Sequence, residues 1–275
     1  MESVIDAAQA GQLDRRLAAA ETLAQGAGER ALAFFHRRES LTTELKSSSQ
    51  DLVSEADRTV EAWLRQEIGR QFPEDGIVGE EEETVSGRSG YDWVIDPIDG
   101  TMPFLVGQPN WVVSIGLALN QQPVVGAVYA PILRELYSAR LGGGAHLNGR
   151  PLSMNRDWTL NSTTVGFGAT QKAGAAETGA FVEALYREGG VLFRVGSGAL
   201  MLAYVAANRL AGYYDPLLHC WDCWAGIVLI REAGGEAVFD GDLTRPGSIW
   251  AGNERVYADL VRLSGKLREE NTSLE

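Results

Sequence analysis

Residues 93–101, which read Trp-Val-Ile-Asp-Pro-Ile-Asp-Gly-Thr, constrain the fold of this chain more than any other stretch. The three apolar residues at its start predict the end of a buried strand, and the proline stiffens the turn that follows. Asp96 and Asp99 can therefore face one small volume, beside the backbone N–H groups of Gly100 and Thr101. Such a turn suits a divalent cation and a phosphate. A turn whose carboxylates only accept backbone hydrogen bonds would have the same sequence.

The charge balance of the chain limits its partners. Its 275 residues include 37 acidic and 24 basic side chains, which give a formal net charge of -13. Nucleic acids and anionic membranes bind basic surfaces, so we expect neither as a partner. An anionic substrate would have to be recruited by metal ions. The hydrophobic content of 45% is sufficient for one large domain or for two smaller ones that share an interface.

Several features predict a cytoplasmic protein. Residues 1–12 contain two acidic residues but no basic segment of the kind that begins a signal peptide. No apolar run in the sequence is long enough to span a bilayer. Two cysteines, Cys220 and Cys223, are too few for a disulfide framework. Their C-x-x-C spacing lacks the second pair that zinc would need and a typical dithiol context, so we expect neither role.

The first half of the chain combines helices with antiparallel strands. Apolar residues at intervals of three and four predict an amphipathic helix over residues 13–38 and a second helix that begins near Asp57. Residues 46–50 read as a polar linker between the two helices. Residues 111–149 alternate and cluster like the strands of an antiparallel sheet.

A run of four glutamates follows a short predicted strand over residues 76–79. Such a charge run is usually solvated. Glu80 is nevertheless the first residue after the strand, so its side chain can project from the strand end as that of Asp96 does. The sequence leaves both interpretations open.

The pattern changes in the second half, where strands and helices alternate from residue 163 onward. The change predicts a division near residue 155. An N-terminal α+β half (residues 1–155) would carry the acidic turn, and a C-terminal α/β half (residues 156–275) would complete the site. The polar tail after residue 269 has a composition typical of disorder.

Two segments of the second half offer further polar groups. Asp222 lies where a helix begins, and alone it reads more simply as an N-terminal cap. His219, three residues earlier, is more typical of a packing residue than of a substrate contact. Gly196 and Ser197 open another helix after a strand, where backbone N–H groups can approach an anion, although small residues are also ordinary in such a turn.

The order and context of these acidic residues give them a joint meaning. The sequence resembles the inositol monophosphatase family over nearly the whole chain, roughly residues 13–267. The likeness is carried by the segments Gly79-Glu80-Glu81, Trp93 to Thr101 with Phe104, Gly107, Pro109 and Val113-Ser-Ile115, Trp221-Asp222 through Gly226 to Glu232-Ala-Gly-Gly235, and Asp51-Leu-Val with Asp57.

The resemblance implies a layered α/β fold, the αβαβα sandwich of the sugar phosphatases, and Mg²⁺-dependent hydrolysis of a phosphate monoester. It implies two bound ions, with a weaker third one near Glu80. By position, Glu80, Asp96 and the Ile98 carbonyl would hold the first ion. Asp96, Asp99 and Asp222 would hold the second, so that Asp96 bridges the two. Hard oxygen ligands of this kind suit Mg²⁺.

The resemblance also implies catalytic and binding roles. Thr101, hydrogen-bonded to Asp57, would orient and help to deprotonate the attacking water, with Glu80 as the third catalytic residue. The residues predicted to contact the substrate are Gly100, Thr101, Gly196, Ser197, Asp215 and Asp222. The family likeness further implies a homodimer.

Three residues depart from the family pattern. Pro103 stands where the motif usually has an asparagine, and Trp224 replaces a customary small residue, so that its helix would pack differently or line a narrower pocket. Asp215 stands where the inositol phosphatases commonly have a glutamate that contacts substrate hydroxyls. Its carboxylate reaches one methylene less far, which leaves room for a different alcohol.

We therefore expect a phosphatase that acts on a small polyol phosphate, with myo-inositol 1-phosphate as the first candidate. Histidinol phosphate is the alternative within the family, followed by fructose 1,6-bisphosphate and 3′-phosphoadenosine 5′-phosphate. A regulatory family member that binds metal without catalysis is the alternative from a different class. The retained acidic residues and Thr101 favour the enzyme.

Overall fold

The computed structural model describes residues 7–48, 51–169 and 174–265. Two long helices begin the fold, α1 (Ala7–Phe35) and α2 (Glu55–Gln71). Their apolar faces, which include Leu23 and Leu64, belong to one core together with the neighbouring sheet. The sequence predicts both helices because apolar residues recur on one side of each.

A two-stranded antiparallel hairpin lies between these helices, formed by β1 (Thr43–Ser48) and β2 (Asp51–Ser54). The polar linker predicted over residues 46–50 is therefore wrong for residues 46–48, which belong to β1. The backbone hydrogen bonds of a hairpin require no apolar side chains, so composition did not indicate these strands. Residues 49 and 50 and the predicted tail after residue 269 lie outside the described residues.

The first large sheet has seven strands, which follow one another in chain order. β3 and β4 are parallel, and each later strand pairs antiparallel with its predecessor, as the alternation of the sequence predicts. A short helix, α3 (Thr101–Leu105), directly follows β4. The strands are β3 (Gly76–Gly79), β4 (Tyr91–Asp99), β5 (Val112–Leu119), β6 (Gln122–Ala130), β7 (Glu135–Arg140), β8 (Gly144–Leu147) and β9 (Arg150–Leu152).

The second large sheet has five strands in the order β11-β10-β12-β14-β13. Its first two pairings are parallel and the other two antiparallel. The strands are β10 (Thr164–Phe167), β11 (Val191–Phe193), β12 (Gly212–Leu218), β13 (Glu236–Phe239) and β14 (Gly247–Gly252). The helices between and after them are α4 (Ala175–Arg187), α5 (Gly198–Ala206), α6 (Cys220–Glu232) and α7 (Glu254–Leu263).

The elements stack in five layers. α1 packs on one face of the seven-stranded sheet and on α2, while α5 and α6 lie between the two sheets and contact both. α4 and α7 share a third core with the outer face of the five-stranded sheet. α6 is buried on most sides because it lies between two sheets, which explains why its sequence is apolar with little periodicity. The predicted αβαβα sandwich is confirmed.

The proposed division near residue 155 falls in the connection between β9 and β10. α5 and α6 come from the second half of the chain but pack against the sheet of the first half. Elements from both halves therefore meet where β4 ends. No helix in the described part of the chain combines the length and the apolar character that crossing a membrane requires.

Candidate active site

The acidic turn lies at the end of β4. The register between β4 and β5 shifts between Asp96 and Asp99, where Pro97 has no N–H group to donate to the ladder. Asp96 Oδ1 accepts a hydrogen bond from the N–H of Ile98 at 2.9 Å. Gly100 follows with a φ of 99°, a left-handed conformation that favours glycine, and α3 begins at the next residue. The turn thus leaves the strand with both carboxylates near its end.

Three carboxylates meet at this point, and we call Asp96, Asp99 and Asp222 the acidic cluster. One oxygen atom from each lies within 4.8 Å of one from each of the others. Asp222 belongs to the first turn of α6, where its Oδ2 accepts the N–H of His219 at 2.8 Å. Asp96 and Asp99 are 1% and 6% exposed. A set of buried carboxylate oxygens this close together is suited to a hard divalent cation.

The first turn of α5 holds Asp99 in place. The hydroxyl of Ser197 and the N–H of Ala199 each donate to Asp99 Oδ2 at 2.7 Å. The N–H of Gly198 donates to Asp99 Oδ1 at 3.3 Å. Ser197 also caps α5, because its hydroxyl accepts the N–H of Leu200 at 3.2 Å. The helix end that the sequence predicts near an anion therefore binds a carboxylate of the protein itself.

The charges of the cluster are not balanced by basic side chains. None of the ion pairs between described residues includes Asp96, Asp99 or Asp222. Burial raises the pKa of Asp96 well above its usual value, and the negative charges of Glu80 and Asp99 raise it further. Burial also raises the pKa of Asp222. Burial raises the pKa of Asp99 to about 6, although the hydrogen bonds from the first turn of α5 act to lower it. A bound cation would relieve this electrostatic cost, so the residues present fit a metal ion.

Thr101 and Asp57 form a hydrogen-bonded pair beside the cluster. The Thr101 hydroxyl donates to Asp57 Oδ1 at 3.2 Å. Asp57 is fully buried in the first turn of α2, where its Oδ2 accepts the N–H of Ser54 at 2.9 Å. Burial raises the pKa of Asp57, and the hydrogen bonds from Ser54 oppose this. The pairing predicted from the family motif is present in the structure.

Glu80 follows β3 and lies partly exposed at the same site. It lines the same cavity as Asp96, Asp99 and Asp222, and its charge raises the pKa of all three. The backbone just beyond Glu80 is bound by Glu61 of α2. Sequence reasoning missed Glu61, although a charged residue on the apolar side of an amphipathic helix was a signal that it is buried with a partner.

The acidic cluster, Glu80 and Thr101 line one cavity of about 690 Å³. Pro103 forms part of its wall and packs against Gly196, where an added Cβ would lie 3.1 Å from the proline Cγ. Arg194 is the one basic residue among the described residues that line it. The lining also includes Glu80, Asp96, Ile98, Asp99, Gly100, Thr101, Val195 and Asp222. The structure thus brings most of the predicted site residues to one cavity.

Asp215 lies in a different position. It lines a smaller adjacent cavity of about 100 Å³ and is only 2% exposed. Its carboxylate accepts hydrogen bonds from the Tyr213 hydroxyl at 2.8 Å and from the N–H of Leu217 at 3.0 Å. Burial raises the pKa of Asp215 to about 7. Gly168 leaves the space for it, since a Cβ there would lie 1.7 Å from the carboxylate.

The two cysteines and Trp224 of α6, and His219 just before it, pack against neighbouring residues and do not line the cavity. Trp224 is 4% exposed and lies against β5, where a Cβ on Gly116 would be 3.2 Å from the tryptophan Cβ. His219 stacks on Trp221 with ring centroids 4.5 Å apart. Both cysteines are buried free thiols whose pKa burial raises, so neither is a reactive thiolate.

Comparisons with known proteins identify the family of the chain. A model of the inositol monophosphatase family matches residues 12–264. Inositol-1-monophosphatase of Rhizobium meliloti is 39% identical over 241 residues, which cover 85% of this chain and 90% of that protein. Nus factor SuhB of Haemophilus influenzae is 35% identical over 86% of this chain and 91% of that protein. The crystal structure of extragenic suppressor protein suhB from Bartonella henselae aligns with a TM-score of 0.84 and 32% identity, over 89% of this chain and 96% of that one.

The matches cover both halves of the chain and each segment that carries the acidic site. The resemblance identified from the sequence motifs is confirmed. The chain belongs to the inositol monophosphatase family and is a phosphoric monoester hydrolase.

Proposed function

We propose that this protein is a Mg²⁺-dependent phosphatase of a small polyol phosphate, with myo-inositol 1-phosphate as its first candidate substrate. The observation that carries the proposal is the acidic cluster of Asp96, Asp99 and Asp222 beside the Thr101–Asp57 pair. Cation ligands and a polarised hydroxyl group thus face one cavity. A phosphate dianion could not approach this acidic site unless cations neutralised it.

The residues that would hold the cations are those of the cavity wall. We propose Glu80, Asp96 and the Ile98 carbonyl for one ion, and Asp96, Asp99 and Asp222 for a second. Bound Mg²⁺ would neutralise the phosphoryl oxygens and acidify the attacking water. We propose that a third, more weakly held ion would lie near Glu80.

Thr101 would orient the attacking water. The Thr101 oxygen lies 3.2 Å from Asp57 Oδ1 and 3.4 Å from the Ile98 carbonyl oxygen, and when its one proton is donated to Asp57 its lone pairs can accept a hydrogen bond from water. Asp57 is itself fixed by Ser54, so the pair is held before substrate binds. The N–H groups of Gly100 and Thr101 begin α3 and have no partner within that helix, so they can donate to the phosphate.

Two of the predicted substrate contacts would act indirectly. Ser197 already donates its hydroxyl to Asp99, so we propose that it supports this ligand. Asp215 is 2% exposed and is held by Tyr213 and Leu217, so its carboxylate would reach substrate hydroxyls in the main cavity only after side-chain movement. Gly196 lines the main cavity and would allow close approach of the substrate.

The name of the Rhizobium meliloti relative supports inositol 1-phosphate as the substrate. The shorter Asp215 favours testing histidinol phosphate, fructose 1,6-bisphosphate and 3′-phosphoadenosine 5′-phosphate beside it. We also propose a cytoplasmic homodimer, on the family likeness and on the composition. Sedimentation of the purified chain tests the dimer separately from the activity.

Phosphate release from this substrate panel, measured with Mg²⁺ and with a chelator, tests the function. We expect Mg²⁺-dependent turnover, with kcat/KM highest for inositol 1-phosphate. Activity on the panel that persists unchanged in the chelator would refute the metal requirement. Failure to hydrolyse any of the four esters would refute the proposed substrates, and failure on every phosphomonoester tested would favour a regulatory protein that binds metal.

A further inference from the structure

Glu80 reaches the cavity from a loop that should be unstable by itself. Four consecutive glutamates, Glu80 to Glu83, follow β3, and like charges so close together repel one another. Glu82 and Glu83 are exposed, whereas Glu80 lies at the wall of the cavity. The direction of the Glu80 side chain therefore depends on what holds the backbone after it.

Glu61 of α2 binds that backbone. Its Oε2 accepts the N–H of Glu81 at 2.9 Å, and its Oε1 accepts the N–H of Glu82 at 3.1 Å. Glu61 is 0% exposed, so its carboxylate has exchanged water for these two donors. The two residues that directly follow Glu80 are thus tied to a side chain of α2 that lies 20 and 21 residues earlier in the chain.

Arg65, one helical turn further along α2, completes the clamp. Its Nε donates to Glu61 Oε1 at 2.8 Å, and its terminal nitrogens donate to the carbonyls of Glu82 at 2.9 Å and Glu83 at 3.0 Å. Its side chain is 10% exposed, so its charge is well placed to balance the buried Glu61. A Cβ on Gly79 would lie 2.3 Å from Glu61 Oε1, so only glycine permits this approach.

The same helix also supports Thr101. Asp57 and Glu61 are four residues apart and thus lie one turn apart on one face of α2. Asp57 accepts the Thr101 hydroxyl, while Glu61 binds the loop of Glu80. One rigid element therefore sets the distance between the two sides of the cavity.

We propose that Glu61 and Arg65 are positioning residues that fix the Glu80 carboxylate relative to the acidic cluster and thereby set the affinity for the catalytic cation. The proposal rests on the metal-dependent function proposed above. A purely structural clamp would stabilise the fold without affecting cation binding, so the two roles can be separated by experiment.

The test is a titration of the full-length, chelator-treated protein with Mn²⁺, which prefers the same oxygen ligands as Mg²⁺. We expect Glu61→Gln and Arg65→Met each to weaken Mn²⁺ binding about 10-fold, and Glu61→Leu up to about 100-fold, because Gln retains one acceptor oxygen. The Mg²⁺ concentration for half-maximal activity should rise in parallel. Saturating Mg²⁺ should restore most of kcat, since Glu80 itself is retained.

Arg16→Met is the matched control. Arg16 also forms a buried pair with a carboxylate, Asp75, at 2.9 Å through two of its nitrogens, and its side chain is 7% exposed. Its loss should lower the melting temperature as much as Arg65→Met but leave the Mn²⁺ affinity unchanged. If Glu61→Leu does not fold, Arg65→Met and Glu61→Gln decide the outcome.

Normal Mn²⁺ affinity in folded Arg65→Met and Glu61→Gln would overturn the proposal. An equal loss of affinity in Arg16→Met would overturn it too, because a general loss of stability would then explain the effect. Wild-type protein that binds Mn²⁺ but hydrolyses no phosphomonoester would refute the proposed function instead, and the Mn²⁺ titration would still test the clamp.

Discussion

The substitution Asp96→Asn should have opposite effects on activity and on the stability of the metal-free protein. Asn keeps the oxygen that accepts the Ile98 N–H and removes one charge from the acidic cluster. If Asp96 bridges two cations, turnover should be abolished. In the absence of metal, removal of a buried like charge should instead stabilise the folded state.

The size of the stabilisation follows from the geometry. Oxygens of the cluster lie within 4.8 Å of one another, and at an effective dielectric constant of about 20 two such charges repel by about 3 kcal/mol. Because Asp96 can escape repulsion by binding a proton, the gain at pH 7 cannot exceed about 4 kcal/mol, the cost of protonating a carboxyl of ordinary pKa. A gain of about 3 kcal/mol corresponds to a rise in melting temperature of about 6–12 °C.

Thermal unfolding in a chelator, at pH 7 and at pH 5, measures this effect. The pKa of Asp96 is raised in the folded state. Ionised Asp96 therefore lowers the free energy of unfolding at pH values above its unfolded pKa, and this loss of stability disappears as the pH falls. The difference in melting temperature between the variant and the wild type should therefore be smaller at pH 5 than at pH 7. Asp92→Asn, on the same strand but outside the cluster, should retain turnover. Near-normal turnover of Asp96→Asn, or a metal-free variant less stable than wild type, would refute the reasoning.

Two further predictions concern the neighbouring groups. Thr101→Val should lower kcat by about 10²–10⁴-fold and leave the Mn²⁺ affinity unchanged. Thr101→Ser, which keeps the hydroxyl group, should retain most of the activity. Equal losses of kcat in the two variants would exclude the missing hydroxyl as the cause. Burial raises the pKa of Asp215 from 3.8 to about 7. The free energy of unfolding should therefore decrease as the pH rises from 4 to 7, and above pH 7 it should be lower by the full amount, about 4 kcal/mol. Asp215→Asn should make the pH dependence of the unfolding free energy in denaturant titrations less steep by this amount, and an unchanged slope would contradict the assignment.

The layers of the fold were predictable from the sequence because burial leaves a periodic signal. Trp93 to Ile95 of β4 form a buried apolar run, β5 is apolar apart from Ser114, and α1 is apolar on one side only. The β1–β2 hairpin had no such signal, since its sequence around residues 46–48 is polar and its strands are held by backbone pairing.

The site was predictable to a different extent. Asp96 and Asp99 both lie within the last four residues of β4, so local sequence suffices to bring them together. Asp222 reaches them only because α6 packs between the two sheets, and no local pattern specifies that contact. Glu61 was missed for another reason: a glutamate in a helix ordinarily faces water, and besides Arg65 it binds the backbone N–H groups of Glu81 and Glu82, which leave no signal in the sequence.

A carboxylate at a helix start can accept backbone N–H groups and still have lone pairs for a ligand, so the cap and ligand interpretations of Asp222 do not exclude each other. Asp57 and Asp222 each use Oδ2 to accept a backbone N–H at the start of a helix, and Asp99 accepts two N–H groups from the first turn of α5. A helix N-terminus stabilises negative charge, and each cap also fixes the direction of the carboxylate. Oδ1 of Asp57 accepts the Thr101 hydroxyl, while Asp222 still contributes an oxygen to the acidic cluster. The helix starts that close the sandwich therefore also hold the site ready before any metal binds, which is why fold and site cannot be varied independently here.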